Sequence, residues 1–436
     1  MLKNDFSQVT ILGAFGKMGS GISLIMLALM AEQELASTGK LGNYRLNLVD
    51  ANTDSYPEFL TKTRKYLRDQ AEKNIGALRK YYATRQDLIE NHQIIDEFIA
   101  NAIACIRPTA DISSIKNTKL VFEAVSENIE LKIKLFSTIK NNCEPCPLFF
   151  TNTSSIPIST LAQKADLEGK IIGYHFYNPP QKQKLVELVV LPSTNKEHQE
   201  LTSNLTKLLK KTAIASNDVA GFIGNGHFMR EIIQADEMIA QSYESIPILD
   251  SITRDLLIRP MGIFQLIDFV GLDVCQSILR VMSLYLNKTL TSPLIDQFMT
   301  SGIKGGQNPD GSQKDGFFKY EKHKIAGYYS ISQKKYVQLP PLDLKKIGQS
   351  ICDSYRSWKD ISLESSEAKD AYFKLYFQAL FKTTDPNAQK ACAYLIASRK
   401  IAENLVGDKV ANNLEDVNQV LMLGFQHAYG PKNNYY

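Results

Sequence analysis

Apolar residues follow two different patterns along this chain, and the change lies near residue 218. Before it, short apolar runs alternate with stretches of helical period. QVTIL (8–12) reads as a first strand, followed by a glycine-rich turn and the long apolar segment ISLIMLALMA. YRLNLVD reads as a second strand that ends at Asp50. Residues 55–105 are largely polar with helical spacing: Phe59, Thr63, Tyr66, Leu67 and Gln70 share one face, and Lys62, Arg64, Lys65, Arg68 and Lys73 lie on the other. KLVFEAV (119–125) reads as the third parallel strand, with a helix over 129–140 behind it. PLFFTNTSS, IIGYHF and KLVELVV supply further strands. Short apolar runs bounded by polar turns suit a sheet covered on both faces.

After residue 218 long amphipathic helices dominate: GFIGNGHFMREIIQADEMIAQS, LDSITRDLLIRP and IFQLIDFVGLDVCQSILRVMSLYL. Residues 301–340 form a looser connector rich in Gly, Lys, Asp and Tyr, and 366–436 return to helix. LDSITRDLLIRPMG resembles VNQVLMLGFQHAYG, which points to two related helical halves. The expected architecture is α/β. A doubly wound, Rossmann-type domain occupies 1–217 with a helical insertion at about 55–105. An all-α part follows, divided into 218–300 and 301–436.

The chain has 436 residues, enough for two or three domains with substantial cores. Hydrophobic residues make up 44% and charged residues 22%, as in ordinary globular proteins. A formal net charge of +4 gives no case for nucleic acid, so any anion site must be local. Six cysteines over this length do not make a disulfide framework. Cys143 and Cys146 form a CEPC pair with no further zinc ligands at suitable spacing, so no metal is expected. MLKNDFSQ has no apolar h-region, ISLIMLALMA is too short to span a membrane, and PKNNYY carries no address signal. The expectation is a cytoplasmic protein without a membrane span.

Strand, glycine turn, helix, strand and terminal acid form the layout of a dinucleotide-binding βαβ unit. Gly13, Gly16 and Gly19, with Lys17 and Met18 between them, would let the pyrophosphate approach the backbone at a helix N-terminus. Asp50 would accept hydrogen bonds from the adenosine ribose, favouring NAD over NADP. The glycines are spaced GxxGxxG rather than GxGxxG, and Asp50 lies about ten residues later than usual.

Parallel sheets place ligands at the carboxyl ends of their strands. Glu127, Ser154 and His175 fall there, and Asn225 lies at the start of the helical part. Glu187 sits inside the apolar run KLVELVV, twelve residues after His175. A carboxylate in such a strand needs a partner, and a histidine one strand away is the natural one. By themselves the two residues fit a core ion pair as well as a general base with its orienter. Together with Ser154 and Asn225 they suit removal of a proton from an alcohol as hydride leaves to NAD⁺. His198 and His227 have no carboxylate context and are expected to be structural or exposed.

Five motifs then stand in one order: NTSS (152–155), HFYNP (175–179), KLVE (184–187), GFIGN (221–225) and PMGIFQLIDFVGLD (260–273). In order and spacing the chain resembles the L-3-hydroxyacyl-CoA dehydrogenase family, over roughly residues 8–290. The resemblance implies catalytic roles for Ser154, His175, Glu187 and Asn225. It places Glu127, Lys132 and Asn178 along the NAD site, and assigns Lys73 and Arg68 to the coenzyme A phosphates. It implies an acyl-CoA substrate, a monomer or homodimer, and association with other β-oxidation enzymes.

The sequence departs from the family pattern in places. The glycine loop has one extra residue, the usual Gly-Pro-Phe is Gly262-Ile263-Phe264, Gln265 replaces an acid, and Gly226 stands where arginine is common. Two rival readings are a dehydrogenase of a small hydroxy acid without coenzyme A, and a non-catalytic NAD-binding sensor or assembly protein.

Overall fold

The computed structural model describes residues 6–308, 311–322, 324–341 and 343–436; most of the opening segment MLKNDFSQ and four residues of the region after 300 lie outside it. The chain divides into two compact units, Met1–Asp218 and Val219–Tyr436.

The first unit is built on an eight-stranded sheet in the order β3-β2-β1-β4-β5-β6-β7-β8. The strands are β1 (Gln8–Leu12), β2 (Arg45–Val49), β3 (Ile106–Thr109), β4 (Leu120–Glu123), β5 (Leu148–Thr151), β6 (Ile171–Phe176), β7 (Leu185–Val189) and β8 (Thr212–Ala215). Neighbours run parallel except β6 and β7, which are antiparallel with His175 opposite Glu187. Two strands were not expected. β3 carries Arg107 and Pro108 on exposed positions, and β8 buries only one of its four residues. Both lie at sheet edges, where a strand needs no apolar run, so periodicity misses them. KLVFEAV is therefore the fourth strand in the chain, not the third.

Helix α1 (Lys17–Thr38) buries every residue from Gly21 to Ala31. It is covered on both sides because the insertion, α2 (Tyr56–Lys73), α3 (Ile75–Tyr81) and α4 (Asn91–Ala104), packs over its outer face. That explains an apolar segment with almost no amphipathic character. α2 buries Phe59, Thr63, Leu67 and Ala71, while Tyr66 and Gln70 stay half-buried. Inside the sheet Phe122, Phe150, Tyr174 and Phe176 form a continuous aromatic layer with centroids 4.9–5.3 Å apart along the row. Each such ring contributes roughly 2–3 kcal/mol by leaving water. α5 (Ile129–Asn142), α6 (Ile158–Lys164) and α7 (Lys196–Leu208) complete the unit.

The second unit is helical but not wholly so. α8 (Phe222–Ile239) opens it. The expected helix over LDSITRDLLIRP is Ile246–Ser251 followed by a π-turn, Ile252–Leu256. The apolar stretch after it was read as one helix and is two, Ile263–Val270 and Leu272–Leu286, bent by 91° at Gly271, whose φ is +112°. The connector folds into a small antiparallel sheet, Phe318–Glu321, Lys324–Ser330 and Lys335–Val337, so the part expected to be all-α also contains strands. The helices on both sides of that sheet share one core, in which Ile252 and Leu257 lie with Tyr376 and Tyr394. Among the described residues no single helix is long and apolar enough to cross a membrane.

The internal echo has a structural counterpart. A Cβ on Gly262 would stand 2.2 Å from the Asp250 carboxyl, and one on Gly430 would stand 2.2 Å from the Asn418 amide. Ile258 and Gln426, at matching places in the two segments, both have positive φ, 50° and 58°. Each segment is thus a helix end closed by a polar side chain lying over a glycine.

Candidate active site

Antiparallel pairing places Glu187 directly across from His175. The His175 Nδ1 lies 2.9 Å from Glu187 Oε2. Glu187 is fully buried and His175 is 9% exposed. A buried carboxylate at one ring nitrogen sets the tautomer and directs the other nitrogen outward as a proton acceptor. The same Glu187 oxygen accepts a hydrogen bond from the Tyr177 hydroxyl at 2.7 Å. Asn152 Oδ1 accepts from the Phe176 amide at 2.8 Å, tying the end of β5 to the end of β6.

The NTSS turn is gathered by Glu127. Its Oε1 accepts from the amides of Ser154 and Ser155, both at 3.1 Å, and from the hydroxyls of Thr153 and Ser155. Ser154, half-buried, is thereby held at the sheet's carboxyl end beside the other strand-end residues. Burial disfavours the charge on Glu127, but Lys132 and the two hydroxyls outweigh it and hold the carboxyl below its usual range.

Lys132 is held by two carboxylates. It is 1% exposed, and its Nζ lies 2.7 Å from Glu123 and 3.2 Å from Glu127. The ammonium is spent inward and supports Glu127, with no exposed charge for a ligand. Glu123 also accepts from Thr151 Oγ1 at 2.6 Å and from the Val125 amide at 2.8 Å. Sequence reading missed Glu123, Thr151, Thr153 and Ser155. The acid in LVFEAV and the hydroxyls in and just before NTSS were the available signal.

The glycine turn fits a dinucleotide. Gly13 has φ +75°, and a Cβ there would press on Ala124 O at 2.8 Å. A Cβ on Gly19 would stand 1.8 Å from Gly13 O, so only glycine lets the helix start so close to the strand. Gly16 caps α1 without a side-chain hydrogen bond. Met18 packs partly into the core and Lys17 lies on the exposed side of the first turn. The extra residue, Phe15, turns its ring onto Tyr56 and Phe59 of α2, at 5.8 and 5.4 Å. Its amide donates to Asp50 Oδ2 at 2.9 Å. Asp50 Oδ1 accepts from Asn52 N, so the acid is oriented at the mouth of the turn.

Asn178 lies in the loop after β6, and its carbonyl accepts from Gln183 at 3.4 Å. Lys211, not foreseen, clips that loop through the carbonyls of Pro180 and Gln183. Arg68 ties α2 to α4 through Asp96 at 2.6 Å, and Lys73 is exposed in the last turn of α2. Asn225 belongs to the second unit, half-buried in the first turn of α8. Next to it, a Cβ on Gly226 would lie 3.0 Å from Leu405, so the helix Pro386–Gly407 occupies the space a larger residue would need. His198 bonds Gly169 O at 2.9 Å. His227 does have a carboxylate neighbour, contrary to expectation: Glu231 lies 3.8 Å away, one helical turn on.

The NAD-binding domain of 3-hydroxyacyl-CoA dehydrogenase matches residues 8–219, and the C-terminal domain of the same enzymes matches 221–317. The chain belongs to the 3-hydroxyacyl-CoA dehydrogenase family. A hydroxyacyl-coenzyme A dehydrogenase of Sus scrofa mitochondria is 31% identical over 62% of this chain and 78% of its own length. A probable 3-hydroxybutyryl-CoA dehydrogenase of Bacillus subtilis is 28% identical over 73% of this chain and 99% of its own. Among solved structures, a 3-hydroxybutyryl-CoA dehydrogenase of Escherichia coli shares the fold with a TM-score of 0.61 at 19% identity, covering 98% of this chain and 90% of that one. The glycine turn and Asp50 lie within the residues that match the family's NAD-binding domain.

Proposed function

We propose that this chain oxidises an L-3-hydroxyacyl-CoA to the 3-ketoacyl-CoA, as in fatty-acid β-oxidation, with His175 as the general base. The observation that carries the reading is the His175 Nδ1–Glu187 pair at 2.9 Å, standing at the end of a strand beside the NTSS turn. His175 takes the hydroxyl proton on its outer nitrogen. Glu187, fully buried, stabilises the imidazolium that forms. Ser154, presented by Glu127, donates a hydrogen bond to the substrate oxygen as it becomes a carbonyl, and the family resemblance assigns the same task to Asn225. Gly13, Gly16, Gly19 and Asp50 hold the dinucleotide, with Glu127 and Asn178 alongside. Bound NAD⁺ supplies the acceptor for the hydride. Lys73 and Arg68 offer positive charge to the coenzyme A phosphates from the outer end of α2.

The test is a rate screen across 3-hydroxyacyl-CoA chain lengths, with acetoacetyl-CoA and free acetoacetate compared as substrates for NADH oxidation. Turnover of the thioester but not the free acid is expected. Equal turnover of both would favour a small hydroxy acid, and NAD binding without turnover of any acyl-CoA would favour a non-catalytic protein.

A further inference from the structure

The Tyr177 hydroxyl and the His175 ring meet on one atom, Glu187 Oε2, at 2.7 and 2.9 Å. Strand geometry explains why. Side chains two residues apart share a face, so His175 lies directly opposite Glu187 and Tyr177, one residue past the end of β6, reaches the same carboxylate. The two rings also touch, with centroids 4.9 Å apart at 44°. Burial first, and then the Glu187 charge, push the Tyr177 phenol well above its ordinary range, so it stays protonated and donates.

We propose that Tyr177 is a positioning residue for the proton-transfer pair, acting through Glu187 rather than on substrate. A carboxylate held by one donor can swing about its terminal torsion, which is broad and soft. A second donor converging on the same oxygen, from the residue just past the end of β6, restricts that rotation further. The imidazole is then bonded by the carboxylate at Nδ1 and packed against the tyrosine ring. The inference rests on the reading of His175 as the base.

The experiment is a double-mutant cycle in the full chain with Tyr177→Phe and Glu187→Gln, using acetoacetyl-CoA and NADH. Tyr177→Phe alone is expected to lower kcat about tenfold while leaving KM for NADH within about twofold. In the Glu187→Gln background the same change is expected to lower kcat no further, because the atom it acts through has changed. Equal, independent losses in both backgrounds would overturn the proposal, as would wild-type kcat for Tyr177→Phe. NADH binding by fluorescence and the urea midpoint report folding of each variant, and Tyr177→Trp keeps a polar N–H on a bulky ring should the phenylalanine variant unfold. If His175→Gln retained full turnover, the reading of the base itself would fail, whatever the cycle shows.

Discussion

Each unit of this protein buries a histidine beside a glutamate, and the two pairs behave as opposites. His175 and Glu187 approach to 2.9 Å across an antiparallel strand pair, with the histidine still 9% exposed. His227 and Glu231 lie 3.8 Å apart along one helix, with the histidine fully buried. Glu231 is claimed by Arg259, which bonds both its oxygens at 3.0 and 3.3 Å and lies under the Tyr394 ring. Burial lowers the pKa of His227, so it stays neutral against the carbonyl of Ser398. The first pair stands at a strand end, with its histidine partly exposed. The second serves a closed ion pair inside a helical core. A buried histidine and acid therefore indicate chemistry only when the fold leaves one side open.

The comparison is broken most directly by exchanging the losses. His175→Gln should cut turnover by about 10²–10⁴-fold while NAD binding and the urea midpoint hold. His227→Gln should do the reverse, lowering the midpoint with kcat nearly unchanged. Measuring both parameters for both variants decides it. Next in size is the ion pair. Glu231→Gln leaves Arg259 buried without its charge partner and should lower unfolding free energy by about 3–5 kcal/mol in urea titrations.

The pH dependence has a definite sign. Burial opposes the Glu231 charge, yet the Arg259 guanidinium above all holds its carboxyl down to about 2 against an ordinary 4.5. The stability it contributes is complete above about 4.5 and is lost as pH falls toward 2. His227, lowered from 6.5, acts in the same direction, because acid protonates the unfolded chain first. Urea midpoints should fall as pH drops below about 6.5, and Glu231→Gln should flatten the segment below 4.5. The smallest effect is expected at the surface: Arg68→Ala breaks an exposed pair and should change stability by less than about 1 kcal/mol. A rise in KM for acyl-CoA without one for NAD would assign Arg68 to the coenzyme A phosphates.

Much of the site was legible because it lies in short motifs. The glycines, Asp50, NTSS and the His175–Glu187 spacing are all local signals. What escaped was set by distant neighbours. Lys132 reads as a residue along the NAD site, and its burial against Glu123, itself bonded to Thr151, is set by the ends of β4 and β5. Tyr177 reads as an ordinary aromatic until the β6–β7 register brings Glu187 to its hydroxyl. β3 and β8 lack apolar runs because the sheet edge does not demand them. The 91° bend at Gly271 interrupts a pattern that is helical on both sides, so periodicity alone runs through it.

The chain by itself determined the two-part division, the dinucleotide turn and the identity of the histidine and acids, because strand length, glycine spacing and residue chemistry are written in order along it. The tertiary structure alone decided which histidine meets a carboxylate at hydrogen-bond distance, which acid each cation answers, and that a tyrosine shares Glu187 with His175. Those outcomes depend on register and burial between segments far apart in sequence, and buried charges are governed by their neighbours in space.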